Sequence, residues 1–454
     1  MNSYFLRLAY TYKDRYSATV TGRYDGSSKF GENNKYAFFP SAGLAWNITQ
    51  EDFMAEQNTI SNLKLHTSYG LTGNSEIGVY NSLATISTGT MLLNGTRASY
   101  SYLGTLPNSD LKWEKTAQFD IGFDLGLFQN RISLDASYYN KKTTDLLLDS
   151  PVPHTTGFTT IYRNIGSIRN QGLDLMLTTR NIETKDFSWT TTINANYNKN
   201  KILSLGENDE DILKNEWVNG ASILRVGESV GSFYGYKRYG VYTEEDYKNG
   251  DCEQKQIGRA KRSAEREIIG KGVPDWTGSM INTLRWKNWD FTLDLQFVAG
   301  VETLQQFYHS TYDRFGMTNG LTDILYDAYD PVKNPNTMQQ AIWLFNGGHA
   351  GQDTMTDSQW VANGSYLRAN LIQLGYTFDS SQLEKTPFSS LRIYFNVNNA
   401  FLITSKDFNG YDPEATSQID TSNGVVSAAQ FGQNMAFFSY PRARTFTLGV
   451  NVAF

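Results

Sequence analysis

The chain has 454 residues, a net charge of -6 and a pI near 5.4, and this acidic balance argues against a nucleic-acid-binding protein. Aromatic residues are abundant, with 9 Trp, 28 Tyr and 26 Phe, yet only 40% of all residues are hydrophobic and the mean hydropathy is -0.46. No stretch approaches the roughly 18 consecutive apolar residues of a membrane helix, and Gly and Pro are too few for a disordered low-complexity chain.

Alternation of apolar and polar residues with period two is the dominant pattern, and it predicts β-strands. The first strand is predicted at Tyr4–Tyr12, because the N-terminal residues have the pattern of a strand and not of a signal peptide. Further segments with this alternation are Leu63–Leu71, Phe119–Leu125, Ile132–Tyr138, Trp189–Tyr197, Trp289–Phe297, Leu391–Val397 and Phe446–Phe454. The whole pattern predicts roughly thirteen strands.

The lengths of the strands and of their connections indicate a membrane barrel. Many segments run to about ten residues, which is the length of a tilted transmembrane strand. Short turns such as Lys13-Asp14 and Lys287-Asn288 alternate with long polar loops. We predict long loops at about 73–111, 150–164, 204–274, 302–363 and 404–440. This alternation is typical of an outer-membrane barrel, with short periplasmic turns and long extracellular loops.

Aromatic residues near the short turns favour the same fold. Trp286 and Trp289 flank one turn, and Phe187 and Trp189 follow another, where an interfacial girdle of a barrel lies. A soluble β-sandwich with the aromatic residues in its core is the alternative. We therefore predict an all-β fold, a transmembrane antiparallel β-barrel.

The parity of the strands predicts an incomplete chain. If the last strand descends to the periplasm, an odd number of strands makes the first one descend as well. A complete bacterial barrel has an even number of strands and both termini inside. We therefore expect further barrel strands before Met1.

Several motifs, taken in order, resemble those of the SusC/RagA family of TonB-dependent outer-membrane transporters. They are Tyr24–Gly31, Phe39–Trp46, Leu63–Leu65 with Ser68–Asn74, Leu111–Thr116, Tyr138–Leu147, Asn164–Gly166 with Asn170–Gly172, Gly231–Tyr236, Tyr366–Arg368 with Leu374–Tyr376, and Gly410–Glu414. The resemblance implies the C-terminal portion of a barrel of the 22-stranded type, without the family's plug domain and TonB box. It also implies the outer membrane of a Gram-negative bacterium.

The resemblance further implies what the whole protein does. Such a transporter takes up oligosaccharides or peptides with a SusD-like surface lipoprotein and is energised through the TonB complex. It is folded by the barrel-assembly machinery, and the terminal Phe454 resembles the aromatic ending that outer-membrane proteins present to this machinery. The chain departs from the family between Tyr247 and Ile268, where a mixed basic and acidic stretch replaces an Asp/Asn/Gly-rich one. A cation site is therefore not carried over, and Arg259–Glu267 is predicted to form a short exposed helix.

Motifs for catalysis and for metal binding are absent from the sequence. The four histidines are far apart and lack metalloprotease spacing, and no nucleophile elbow or phosphate loop is present. The single cysteine, Cys252, excludes an internal disulfide and a cysteine metal cluster. The acidic runs Glu207–Asp211 and Glu244–Asp246 lack calcium-loop spacing and are expected to be solvated loops. We expect no enzyme activity, no metal and no cofactor.

Aromatic residues of the long loops are the ligand-binding candidates. Their rings offer flat apolar platforms among amides and carboxylates, which suits a sugar ring or a peptide backbone. The candidates are Trp217, Tyr312, Phe315, Trp343, Phe345 and Trp360. The alternative is that these rings pack loops against each other or against a partner lipoprotein. Polar strand positions expected to face the lumen are Asp120, Asp124, Asp135, Asn194 and Asn196.

Two other functional classes remain open at this point. A passive porin or structural barrel would lack energy coupling, and an upstream plug and TonB box would distinguish an importer from it. A soluble β-rich binding protein or glycan-active enzyme would separate from the membrane fraction.

Overall fold

A computed structural model describes all residues except 159, 207, 215–220, 312–318, 342–354, 415–433 and 437–439. The described residues are mostly β-strand. In chain order the strands are β1 (Asn2–Tyr12), β2 (Tyr16–Gly26), β3 (Tyr36–Asn47), β4 (Ile60–Asn74), β5 (Thr85–Leu93), β6 (Thr96–Thr105), β7 (Glu114–Leu127), β8 (Ile132–Thr144), β9 (Leu147–Pro151), β10 (Thr160–Asn164), β11 (Ser167–Glu183), β12 (Phe187–Ser204), β13 (Ile212–Lys214), β14 (Ser222–Leu224), β15 (Ser232–Gly235), β16 (Arg238–Val241), β17 (Ala260–Arg262), β18 (Glu267–Lys271), β19 (Trp276–Trp286), β20 (Trp289–Ala299), β21 (Glu302–Gln305), β22 (Val361–Asn363), β23 (Tyr366–Thr377), β24 (Ser390–Thr404), β25 (Met435–Ala436) and β26 (Thr445–Ala453).

Helices in the described residues are short. The α-helices are α1 (Glu244–Asn249), α2 (Tyr308–Thr311), α3 (Asp323–Asp327) and α4 (Ser380–Leu383). Single 3-10 turns occupy Glu32–Asn34, Ile48–Gln50, Asp52–Met54, His154–Thr156, Gln254–Gln256 and Ser358–Trp360. Among the described residues, no helix has the length and apolar character needed to span a membrane.

One large antiparallel sheet organises the molecule. Its 13 strands follow the order β1-β2-β3-β4-β7-β8-β11-β12-β19-β20-β23-β24-β26, which confirms both the predicted number and the antiparallel arrangement. Each strand of this sheet pairs with the strand that follows it in the series, so the sheet is a continuous meander. Such a meander is the topology from which membrane barrels are built.

The two faces of this sheet have opposite chemistry, as the alternation predicts. The register pairs Val450 of β26 with Ile393 of β24, and it pairs the next residue, Asn451, with Arg392. We call the side with Val450 the apolar face and the side with Asn451 the polar face. Val450 is 56% exposed, so the apolar face is not covered by other described parts of the protein at this position. Extended apolar exposure of this kind suits contact with hydrocarbon.

Connections at one edge of the sheet are short, and we call this edge the short-turn rim. Lys13, Asp14 and Lys287 have φ of 52, 55 and 51°, the left-handed conformation that tight hairpins use. Trp286 pairs with Phe187 on one side and with Trp289 across its turn. The aromatic girdle predicted from the sequence therefore lies at this rim.

Connections at the opposite edge, the long-loop rim, are long and carry structure of their own. They span 75–113, 145–166, 205–275, 300–365 and 405–444 between the sheet strands. β5 and β6 form a hairpin in the first of these connections, and β9 pairs with β10 in the second. In the third, β13, β14, β15 and β18 form a four-stranded sheet. The loops are therefore partly folded units and not only solvated chain.

The predicted exposed helix at Arg259–Glu267 is wrong. Ala260–Arg262 is strand β17, which pairs with β16, and β18 begins at Glu267. Lys261 pairs with Asp246 at 2.7 Å, whereas Arg262 pairs with Asp357 at 2.7 Å. These partners lie on different segments and hold the stretch in an extended conformation, which overrides its helical propensity.

Candidate functional site

The polar face of the sheet carries a band of carboxylates and amides. Asp124 of β7 lies directly opposite Asp135 of β8 in the register. From β4, the Lys64 ammonium lies 3.7 Å and His66 Nδ1 lies 3.8 Å from Asp124 carboxylate oxygens. The neighbouring Asp120 accepts hydrogen bonds from Gln118 Nε2 at 2.8 and 2.9 Å. The structure thus places Asp120, Asp124 and Asp135 together on one wall.

β12 continues this wall with a row of asparagines. Asn194 Nδ2 donates to Ser279 Oγ at 3.3 Å, and Asn196 Nδ2 donates to Asp174 Oδ1 at 2.5 Å. Because alternate residues of a strand share a face, Asn198 and Asn200 extend the row toward the long-loop rim. The predicted positions Asn194 and Asn196 therefore belong to the polar face.

A glycine of the Asn170–Gly172 motif shapes the same wall. A Cβ at Gly172 would lie 1.8 Å from the Tyr197 carbonyl oxygen and 2.7 Å from the Tyr139 hydroxyl. Without that atom, Tyr139 lies against the wall with 6% exposure and donates to Asn198 Oδ1 at 3.0 Å. The glycine of this motif therefore leaves the space in which the Tyr139 side chain packs against the polar face.

A buried ionic cluster ties the last long connection to the top of the wall. The Arg368 guanidinium of β23 lies 2.5 Å from Asp412 and 2.9 Å from Glu414, both in the Gly410–Glu414 motif. Arg442 contacts Glu414 from the other side at 3.2 Å. The side chains of Arg368 and Asp412 are each 2% exposed. Charges this deeply buried require their partners, so the motif works as a clamp on the loop.

Three long connections share one hydrophobic core above the sheet, which we call the loop core. It contains Ala221 and Phe233 from 205–275, and Trp360 from 300–365. Met435 of β25 joins it, and β25 pairs in parallel with β21. The three connections are therefore packed together and not independent.

A second buried ion cluster joins two of these connections. Asp357 is completely buried and accepts from Arg238 Nε and Arg262 Nε, each at 2.7 Å. Arg238 also donates to the Met338 carbonyl at 3.0 Å and to Gln359. The pair Arg238–Asp357 spans 119 residues of sequence. No local motif signals such a contact, so the sequence reasoning missed it.

The loops also enclose a polar cavity of about 920 Å³ at the long-loop rim. Its wall includes Asp110 and Lys112 before β7, Arg163 of β10, and Asp211 before β13. Asp211 pairs with Arg225 at 2.7 Å, and this interaction raises the pKa of the Arg225 guanidinium. The cavity therefore presents both signs of charge to a hydrated solute.

The ligand candidates are only partly located. Trp217, Tyr312, Phe315, Trp343 and Phe345 lie outside the described residues. Trp360 is 1% exposed in the loop core, which agrees with the alternative that its ring packs loops together. The acidic run Glu244–Asp246 forms the first turn of α1, where Asp246 caps the helix with Thr243. The hydrogen bond from Lys261 holds the pKa of the Asp246 carboxyl below its usual value.

Comparison with protein families gives an extensive match. A family model described as TonB dependent receptor-like, beta-barrel, matches residues 1–400. The chain is 36% identical over 470 residues to TonB-dependent receptor P3 of Formosa agariphila and 31% identical over 473 residues to TonB-dependent receptor SusC of Bacteroides thetaiotaomicron. These alignments cover 100% of the chain but 45% and 43% of the two relatives. The chain thus spans a little under half the length of these proteins.

A solved structure is similar in fold as well as in sequence. One chain in the structure of the RagAB peptide transporter superposes with a TM-score of 0.80 and 26% sequence identity. The superposition covers 100% of the present chain and 47% of that chain. The 13-stranded sheet therefore has a counterpart of known structure.

Proposed function

Since this chain belongs to the family of TonB dependent receptor-like β-barrels, we propose that it forms the wall of an importer energised through TonB. Members of this family are outer-membrane β-barrels of Gram-negative bacteria, and they act as receptors and transporters, not as enzymes. The observation that carries the proposal is the polar face of a 13-stranded sheet whose opposite face is apolar and exposed. A sheet of this kind encloses an aqueous lumen when its apolar face meets lipid.

We propose that the imported solute is an oligosaccharide or a peptide. The description of RagAB as a peptide transporter supports the peptide, and the motifs that resemble the SusC/RagA family support both classes of solute. The wall offers amides and carboxylates, which hydrogen-bond with hydroxyl groups and with peptide groups alike. Trp217, Tyr312, Phe315, Trp343 and Phe345 remain the proposed aromatic contacts for this solute.

A SusD-like surface lipoprotein is the proposed partner at the long-loop rim. The loop core supports this proposal, because loops packed on one another offer a partner a preformed surface. We also propose that the barrel-assembly machinery reads the end of β26. Phe454 is 87% exposed there, and its ring lies 5.4 Å from that of Phe388.

Uptake assays in the native bacterium test the proposal. Cells with and without an in-frame deletion of the gene are given labelled oligosaccharides and labelled peptides in parallel. Import by this protein predicts that one class of solute stops entering the deletion strain, and that removing TonB or collapsing the proton-motive force has the same effect. Uptake that depends on the gene but persists without TonB would instead establish a passive porin.

A further inference from the structure

A groove of about 530 Å³ marks the apolar face near the short-turn rim, and its size is within the ~300–1,000 Å³ of ligand pockets. Most of the lining residues belong to two neighbouring rows of the apolar face across β1, β2, β3, β4 and β7, and the others lie between these rows in the same strands. Ala18 forms a shallow floor between the larger side chains of Tyr10 and Leu44, and Ile121 stands at the far end. Leu44 and Ile121 are 62% and 50% exposed, so the groove opens away from the protein.

The groove extends from the membrane interface into the hydrocarbon core of the bilayer. At one end Tyr12 is the last residue of β1 and borders the turn. At the other end Ile121 lies six residues before the end of β7 at Leu127. Because barrel strands tilt by about 35–45°, a row of residues across them also runs obliquely to the membrane normal.

Hydrogen bonds hold the aromatic wall at the lower end in place. Tyr16 and Trp46 stack with ring centroids 6.4 Å apart. The Tyr16 hydroxyl and Trp46 Nε1 both donate to Glu51 Oε1, at 2.6 and 3.0 Å. Arg15 pairs with the other Glu51 oxygen at 3.0 Å. These contacts, first among them the hydrogen bond from Tyr16, hold the pKa of the Glu51 carboxyl below its usual value. The wall is therefore built before any ligand arrives.

A cation stands at the same end. The Lys13 ammonium lies 5.4 Å from the centroid of the Tyr12 ring, which belongs to the apolar face. Within the described residues, Arg15 is engaged by Glu51 and Asp52, whereas Lys13 forms no ion pair. Lys13 thus carries a positive charge with no carboxylate partner in the part of the chain that the structure describes, and it lies over Tyr12, which lines the groove.

We propose that this groove is a phospholipid site in the periplasmic leaflet of the outer membrane. One acyl chain lies along the floor at Ala18, between Tyr10 and Leu44, and the lipid phosphate meets the Lys13 ammonium. A membrane-facing surface that combines an interfacial cation with an oblique apolar groove matches both ends of such a lipid. The inference is independent of which solute the protein transports.

Native mass spectrometry tests this site on the protein as encoded, extracted from outer membranes and delipidated in maltoside detergent. The added probe is dioleoylphosphatidylglycerol. We expect one lipid to be retained by the unmodified protein and to be lost in Ala18→Trp, whose indole fills the groove. The matched control is Ala136→Trp on β8, an alanine of the apolar face outside the groove, which should retain the lipid. Lys13→Gln should weaken retention about fivefold, while Lys13→Arg keeps it.

A second measurement stands even if Ala18→Trp fails to fold. Phospholipids with acyl chains brominated near the carbonyl should quench the fluorescence of Trp46. The contribution of Trp46 is the difference in quenching between the unmodified protein and Trp46→Phe. Equal lipid retention in Ala18→Trp, or equal loss in Ala136→Trp, would overturn the groove assignment. Unchanged retention in Lys13→Gln would overturn the placement of the phosphate. Folding of each variant is checked by its heat-modifiable electrophoretic mobility.

Discussion

Replacing Ile121 with Arg tests the orientation of the sheet most directly. Ile121 lies near the middle of β7 on the apolar face, opposite Thr67 on β4 and Tyr138 on β8. It is 50% exposed, so an arginine there points into hydrocarbon. An arginine facing lipid near the bilayer midplane costs about 2–4 kcal/mol. At about 1.4 kcal/mol per factor of ten, the folding equilibrium should fall roughly 30- to 700-fold.

The matched control is Ser137→Arg, one residue away from the partner of Ile121 in the register. Ser137 lies on the polar face of β8, opposite Asp174 of β11. A guanidinium at this position meets a carboxylate and water, so the expected cost is below about 1 kcal/mol. The two variants add the same side chain at nearly the same depth, on opposite faces of the sheet.

The assay is reversible unfolding in urea with the barrel inserted in phosphatidylcholine vesicles, followed by tryptophan fluorescence. A large loss for Ile121→Arg beside a small one for Ser137→Arg is the expected result. Equal costs at the two positions, or a larger cost for Ser137→Arg, would show that the assignment of the faces to lipid and lumen is mistaken.

Three further predictions concern the loops. Arg368→Met should leave Asp412 buried without its cation, at a cost of about 3–5 kcal/mol confined to the clamp, and limited proteolysis should cut 405–444 faster. Asp357→Asn removes the carboxylate that two arginines share, so deuterium exchange should rise in both connections that it joins; unchanged exchange in either would contradict the coupling. The hydrogen bond from Lys261 lowers the pKa of the Asp246 carboxyl, so this pairing stabilises α1 above about pH 4, the range of an ordinary carboxyl, and the stabilisation is lost as the pH falls through the folded pKa. Deuterium exchange in α1, corrected for the intrinsic rate, should therefore increase only below about pH 4.

Period two in the sequence was sufficient to assign the two faces within the segments where the alternation is regular. Phe446 and Val450 alternate with Thr447 and Asn451 in β26 as the pattern predicts, because a strand between lipid and water repeats its environment every two residues. The strand limits were predicted too short, however. β12 extends to Ser204 although its apolar alternation ends at Tyr197, since the hydrogen-bonded ladder continues where the outer face is already polar.

The sequence alone did not predict the contacts among the loops. The clamp at Arg368 and the buried Asp357 join segments that are 44 and 119 residues apart, and neither pairing has a periodic signature. The mistaken helix at Arg259–Glu267 has the same origin, because partners far away in the chain decided its conformation. Trp360, a ligand-binding candidate on the sequence, packs in the loop core, which is the alternative that the sequence left open for these rings.

The asparagine row of β12 gives the wall a property that its carboxylates do not share. Asn194, Asn196, Asn198 and Asn200 repeat every second residue, about 6.7 Å apart along the strand. Each amide is both a donor and an acceptor and carries no net charge. The hydrogen-bond partners of these amides differ, since Asn194 donates to Ser279 Oγ and Asn196 donates to the Asp174 carboxylate. The row therefore presents uncharged hydrogen-bonding groups at a regular spacing, and its electrostatic character changes at Asn196, where the Asp174 carboxylate lies.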